Sequence, residues 1–153
     1  MKDIIKKLNK IKDEINSEKE SNFKLFCLIA RADLGNKWDL LLIADWIKES
    51  NSEENLIYII NKIKEEFKED LDYFSRIVLL PTNERFVSKI IKAIFRENKE
   101  EDKINKKEFS RLKIEKDFII KKLFIIEMNI NKKDIETREK EENPIIIKNI
   151  DKF

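Results

Sequence analysis

The segment from Trp38 to Trp46 has the sequence WDLLLIADW, in which five consecutive apolar residues are flanked on each side by an aspartate and a tryptophan. Successive side chains of a β-strand point to opposite faces, so both tryptophans share one face, and Asp39 and Asp45 fall on the other. The first face is wholly apolar, and the second is apolar in its middle. The pattern predicts a central strand that is covered on both sides and has carboxylates at its two rims.

The rest of the pattern predicts three amphipathic helices and four more strands. Apolar residues recur at helical spacing in three segments and form short dense runs in four others. A turn before Trp38 favours an antiparallel hairpin, and the helix between the next two strands implies a right-handed parallel crossover. The predicted helices are 2–18, 52–72 and 83–97, and the predicted strands besides 38–46 are 23–31, 76–80, 109–114 and 118–128.

These elements indicate an α+β fold, with a mixed sheet of about five strands. An N-terminal amphipathic helix and two further helices pack on that sheet. The length of 153 residues fits one domain, which we place at 1–128. Residues 129–153 follow it as a charged linker and an apolar C-terminal tail.

The tail is a candidate contact with a partner. Ile145, Ile146 and Ile147 follow Pro144, which lacks an amide donor and therefore suits the first residue of an edge strand. Isoleucine-rich segments add readily to sheet edges. We expect 145–147 to pair with an edge of the chain's own sheet or of a neighbouring copy, and so to bind a protein partner or form a homo-oligomer.

The composition narrows the function classes. Charged residues make up 42% of the chain, but the two signs are interleaved and the net charge is only +2. We therefore do not expect a nucleic acid or a membrane as a partner. The chain has no histidine and one glycine, so it lacks the commonest general base and any glycine-rich phosphate loop. We assign no cofactor, and we expect a cytoplasmic protein with Cys27 as a buried, inert thiol.

Three aspartates are the candidate catalytic residues. Asp33 lies in the predicted turn and could approach Asp39, whereas Asp39 and Asp45 are roughly 20 Å apart along an extended strand. A two-metal phosphodiesterase site needs carboxylates clustered around ions about 3.5–4 Å apart. This spacing does not supply such a cluster, so we assign no metal site. The competing interpretation is two aspartates at strand ends, in water or capping nearby backbone amides.

Trp38 and Trp46 are candidate binding residues. Each could stack on a base or on the ring of a ligand. Both also lie on the face that carries Leu40, Leu42 and Ala44, which is typical of core positions. A stacking role predicts exposed indole rings, whereas core positions predict buried ones.

Four short motifs resemble segments of small uncharacterised prokaryotic α+β proteins with a similar order of elements. The motifs are Lys37-Trp38-Asp39, the strand ending at 44–47 with Ala-Asp-Trp-Ile, the run Ser-Arg-Ile-Val-Leu-Leu at 75–80, and Phe86-Val87. The resemblance covers about residues 23–95. It implies an α+β fold and no particular activity.

The setting of Asp39 also faintly resembles the metal-binding strand of nucleotidyltransferases. The Gly-Ser dipeptide of that family is absent, because Asn36 follows Gly35. Leu41 stands where the family has its second aspartate. These departures weigh against that activity.

Two function classes follow. The first is a non-catalytic protein-binding or regulatory module. The alternative is a metal-dependent phosphodiester or nucleotide-processing enzyme that uses the strand-end carboxylates Asp33, Asp39 and Asp45.

Overall fold

A mixed β-sheet of six strands, with helices on both of its faces, forms the framework of the molecule. The structure, a computed structural model, describes residues 2–30, 37–98, 104–130 and 146–149. The helices in these ranges are α1 (Lys2–Lys19), α2 (Ser52–Phe67) and α3 (Arg85–Glu97), and the strands are β1 (Leu25–Ala30), β2 (Trp38–Ile43), β3 (Phe74–Leu80), β4 (Glu108–Glu115), β5 (Phe118–Met128) and β6 (Ile146–Asn149).

The strands lie in the order β4-β5-β1-β2-β3-β6. Strands β2 and β3 pair in parallel, and the other neighbouring pairs are antiparallel. The α+β class is therefore confirmed, together with the hairpin β1–β2, the parallel crossover through α2 and the hairpin β4–β5.

Helices α1 and α2 cover one face of the sheet. Their buried residues recur at the three- and four-residue spacing that the sequence predicts, so each helix turns one apolar stripe toward the strands. The apolar side chains of α1 and α2 in this layer are Ile4, Leu8, Ile11, Ile15, Leu56, Ile59, Ile60, Ile63 and Phe67. They pack on Phe26, Leu28, Leu40 and Leu42 of the central strands.

Helix α3 covers the opposite face and packs against β4. The second core lies there, and it includes Cys27, Leu41 and Ile43 from the central strands. Leu112 and Ile120 join it from the hairpin β4–β5. Both faces of β1 and β2 are therefore buried, as the two-sided apolar pattern predicts.

The central strand is shorter than predicted. Strand β2 ends at Ile43, so the prediction of a strand over 44–46 is wrong. The amide of Ile47 donates to the carbonyl of Ala44 at 3.2 Å, which closes a turn. The side-chain amides of Asn51 and Asn55 donate to the Trp46 carbonyl at 3.1 and 3.3 Å and replace the strand partners it would otherwise need.

Two helix boundaries also differ from the predicted ones by two residues or more. Helix α2 ends at Phe67, where Lys68 has a φ of 50°, and a 3-10 helix, Lys68–Tyr73, continues the chain. Glu84 caps α3, because its side chain accepts from the amide of Phe86 at 3.4 Å. The predicted helix 83–97 therefore begins two residues too early.

The sixth strand, β6, belongs to the C-terminal tail. It pairs antiparallel with β3 through four residue pairs, from Arg76 with Asn149 to Leu79 with Ile146. The expectation of a mixed sheet of about five strands is confirmed, and the tail adds a sixth strand at its edge. Ile145 lies outside the described residues.

Candidate functional site

Asp39 is held in an ion pair inside the sheet. Its carboxylate accepts two hydrogen bonds from the Arg76 guanidinium, at 3.2 Å from Nε and 2.6 Å from Nη2. Adjacent positions on the parallel strands β2 and β3 bring the two side chains together. The Asp39 side chain is only 5% exposed, so the expectation of a solvated carboxylate at a strand rim is wrong. A two-pronged bond of this kind fixes both groups.

Asp45 is exposed and lies beyond the end of β2. Its carboxylate is 3.7 Å from the ammonium of Lys24, with more than half of the side chain in solvent. Asp39 belongs to the strand and Asp45 to the following turn, and the structure does not bring them into one group. Asp33, the third candidate, lies outside the described residues.

A cleft of about 400 Å³ opens beside Asp45, past the ends of β2 and β3. Ligands of open α/β sheets bind at this kind of position, outside the carboxyl ends of parallel strands. The cleft can offer carboxylate, ammonium, hydroxyl and amide groups to a small polar molecule. Its lining residues are Asp45, Ile47, Lys48, Glu49, Pro81, Thr82 and Asn83.

Metal-binding side chains do not converge in the part of the chain that the structure describes, since it contains no group of three or more Asp, Glu, Cys or His residues placed to hold an ion. Cys27 is fully buried, and burial raises the pKa of its thiol above the usual range. A protonated thiol is a poor nucleophile, so Cys27 acts as a small apolar core residue.

The two tryptophans pack against the core. Trp38 and Trp46 are both half-buried beside the cluster that α1 and α2 cover, on the face shared with Leu40 and Leu42. The Trp46 ring meets Tyr58 edge-on at 6.4 Å, and its Nε1 is buried without a hydrogen bond in the structure as described. Their positions fit the core interpretation better than a stacking platform.

A network of polar side chains joins α1 to α2. The Tyr58 hydroxyl and the Lys62 ammonium each donate to the Glu18 carboxylate at 2.5 Å. The bond from Lys62, reinforced by the one from Tyr58, lowers the pKa of Glu18. Burial and the Glu18 carboxylate raise the pKa of Tyr58. The Lys19 ammonium lies 4.6 Å from the centre of the Tyr58 ring.

The candidate binding residues of the tail lie at the β3 edge. The backbone of Ile146 and Ile147 pairs with Leu79 and Val78. Without β6, β3 would be the outermost strand of the sheet on that side. The edge that the tail was expected to find is therefore β3 of the same chain.

Sequence analysis missed a basic surface on the hairpin β4–β5. Arg111, Lys113, Lys121 and Lys122 are all exposed there. The pair Lys121-Lys122 could be read from the sequence as part of a phosphate-contacting surface, but the interleaved acidic residues favoured a solvated face. Pairing across strands, which a linear sequence does not display, gathers the four cations on one two-stranded ribbon.

In the described part of the chain, every helix is too short or too polar to cross a bilayer. Comparison with protein-family models, with curated proteins and with solved structures found no match for this chain, so the resemblance to small prokaryotic α+β proteins stays a prediction.

Proposed function

We propose that the protein is a non-catalytic binding module that takes up a β-strand from a protein partner, or from a second copy of itself, at the β3 edge. The observation that carries this proposal is the pairing of β6 with β3. A segment of four residues, Ile146–Asn149, supplies the outer strand. It returns to the sheet after the long connection that follows Met128.

The physics of sheet edges supports such a role. An edge strand presents a row of amide and carbonyl groups that any extended segment of suitable side chains can satisfy. In strand addition, main-chain hydrogen bonds supply affinity, and alternate side chains supply specificity. A four-residue strand makes few such bonds, so a longer strand could replace it.

Because β6 is on the same chain as β3, it competes with any strand that a partner brings. A strand on the same chain has an effective concentration in the millimolar range when its linker spans the distance. A partner must therefore bind β3 more tightly than β6 does, or arrive when β6 is displaced. This competition would make β6 a regulator of the same edge.

The test prevents β6 from pairing with β3 in the full chain and then adds a peptide that can pair with β3 in its place. Prolines at Ile146 and Ile147 remove two consecutive amides, one of which must point toward β3 in an antiparallel pair. We expect the double variant to bind a fluorescein-labelled peptide of residues 143–153, and to do so far more tightly than the unchanged protein. Fluorescence anisotropy measures the affinity, and circular dichroism checks that the variant is folded.

The matched control is the same peptide carrying both prolines, which should not bind. Light scattering on the unchanged protein and on a variant lacking residues 143–153 then shows whether the tail links two copies. A folded proline variant that ignores the natural peptide would refute strand addition at β3.

The metal-dependent enzyme gains no support from the positions of Asp39 and Asp45. The first is paired with Arg76 and the second is exposed in another part of the molecule. We therefore propose no reaction.

A further inference from the structure

The hairpin β4–β5 carries a concentrated positive charge. Residues 104–122 contain seven lysines and arginines against three aspartates and glutamates. The hairpin face, which we define as Arg111, Lys113, Lys121 and Lys122, consists of exposed cations on two neighbouring strands. Its side chains make no ion pair or hydrogen bond within the described part of the molecule.

The pairing of the strands forces like charges together. Ser110 pairs with Lys122 and Leu112 pairs with Ile120, so Arg111 and Lys121 both lie between these two pairs, on neighbouring strands. Like charges directly opposite each other on a sheet are unfavourable. The core fixes this register, because Leu112 and Ile120 are both fully buried.

The backbone is strained at the same point. Arg111 has a φ of 55°, in the left-handed region that favours glycine. A β-strand residue with a bulky side chain adopts this conformation only where its surroundings impose it. Strained residues of this kind cluster at binding sites. The strained residue is therefore also one of the cations that lie close together on the two strands.

Two nearby carboxylates bind residues of the helices. Glu115 binds the Lys89 ammonium of α3, and Glu127 accepts from Asn16 of α1. Glu115, one of the three acidic residues in 104–122, therefore has its ion-pair partner outside the hairpin. An external anion would reduce the repulsion between the cations of the hairpin face.

We propose that the hairpin face binds the phosphodiester backbone of a nucleic acid, without reading its sequence. Residues two apart on a strand are roughly 6.8 Å apart, so Arg111 and Lys113 can contact separate anionic groups. Charges spread along an exposed ribbon suit an extended polyanion better than a single ion. Ile119, which is 43% exposed and lies opposite Lys113, adds an apolar contact for a sugar or base.

This inference is independent of the β3 edge, because β4 is the outermost strand on the other side of the sheet. It departs from the expectation, based on net charge, that nucleic acid is an unlikely partner. Net charge averages over the whole chain, whereas binding depends on the local field.

The experiment measures the anisotropy of a fluorescein-labelled single-stranded oligonucleotide, and of its duplex, as salt rises from about 50 to 200 mM. Full-length protein should bind at the low end with a negative slope of log affinity against log salt. The variant K121Q/K122Q should shrink that slope by about one for each lost contact. The charge-matched control K2Q/K6Q, at exposed positions of α1, should leave it unchanged.

Arg111 provides a second, independent variant. Arg111→Gly suits the left-handed backbone and removes the charge, so the protein should stay folded and lose affinity. Arg111→Lys keeps the charge and should retain most of the binding. Circular dichroism melts establish that each variant is folded before its slope is interpreted.

Three results would overturn the proposal. The first is no binding by the unchanged protein at about 50 mM salt. The second is an equal loss of slope in K2Q/K6Q, which would indicate a diffuse charge effect. The third is competition by polyglutamate as effective as that by unlabelled oligonucleotide, which would assign the face to an acidic protein. The relative affinity for single strand and duplex tells which form the face accepts.

Discussion

Two segments of this protein have mirror-image charge and opposite surroundings. Residues 52–73 contain seven acidic and three basic residues, and residues 104–122 contain seven basic and three acidic ones. The acidic segment packs beside lysines of α1, and its Glu66 and Asp70 lie 3.0 and 3.1 Å from ammonium groups there. The cations of the hairpin face have no ion-pair partner among the residues that the structure describes. Composition alone therefore does not show which charges of a protein lack an opposite charge nearby. The packing of neighbouring elements decides this.

The largest expected effect lies where a charge is most fully enclosed. Arg76→Ala should lower the free energy of unfolding by about 3–5 kcal/mol, because it removes the guanidinium that pairs with the buried carboxylate of Asp39. Urea denaturation measures the loss. The paired replacement of Arg76 by Met and Asp39 by Leu should recover most of it, since neither charge then remains. A loss below about 1 kcal/mol for Arg76→Ala would mean that water reaches Asp39 readily.

A slightly smaller loss is expected from the apolar layer beneath the acidic segment. Leu42 is fully buried under α1 and α2, so Leu42→Ala should cost about 2–5 kcal/mol. Ile57 of α2 is 50% exposed, and Ile57→Ala should change stability by less than about 0.5 kcal/mol. Similar losses for both variants, measured by the same denaturation, would show that α2 contacts more than this sheet face.

The hydrogen bonds that Glu18 of α1 accepts from α2 should make the stability of the protein depend on pH. Bonds to Lys62 and Tyr58 lower the pKa of Glu18 in the folded state, so their stabilisation is present above the ordinary glutamate value of about 4.3. It is lost as pH falls through the lowered folded-state pKa. The stability difference between the unchanged protein and Glu18→Gln should therefore be largest near neutral pH and shrink in acid.

The variant Tyr58→Phe removes one of the two hydrogen bonds to Glu18 and keeps the one from Lys62. It should show a smaller pH dependence of the same sign. Thermal melts at several pH values provide the comparison. A difference for Glu18→Gln that stays constant from neutral to strongly acidic pH would mean that the ion pair contributes nothing.

The smallest effect is expected on the hairpin, and its sign is reversed. Arg111→Gly relieves a left-handed conformation that costs roughly 1–2 kcal/mol, while glycine loses about 0.5–1 kcal/mol through its freer unfolded chain. The net result should be a gain of about 0.5 kcal/mol in stability. Denaturant midpoints measure it, with Lys113→Gln as the control for charge removal at normal backbone geometry. A clear loss of stability would show that the Arg111 side chain is needed for folding.

The elements of this fold could be predicted because each depends on local periodicity. Alternation in β2 marked Leu40 and Leu42 for one core and Leu41 for the other, and the structure confirms that division. The fate of Asp39 could not be predicted, because its partner Arg76 lies 37 positions away and meets it only through strand pairing.

The hairpin shows the same limit at shorter range. Its strands were predicted without a glycine to mark the turn. The left-handed Arg111 carries no signal in the sequence, because glycine or asparagine would be expected at such a φ. The hairpin face follows from register, and the core residues Leu112 and Ile120 set that register.

During synthesis, the edge strand β3 is made well before β6, the strand that pairs with it. Strand β3 is complete at Leu80, but its outer neighbour begins only at Ile146. At about 5–20 residues per second, the ribosome needs roughly 3–13 s to make the intervening chain. For that interval a nascent chain with β1, β2 and β3 already made displays an unoccupied strand edge. A strand-donating partner present at the ribosome would meet no competitor, whereas one arriving later would have to displace β6.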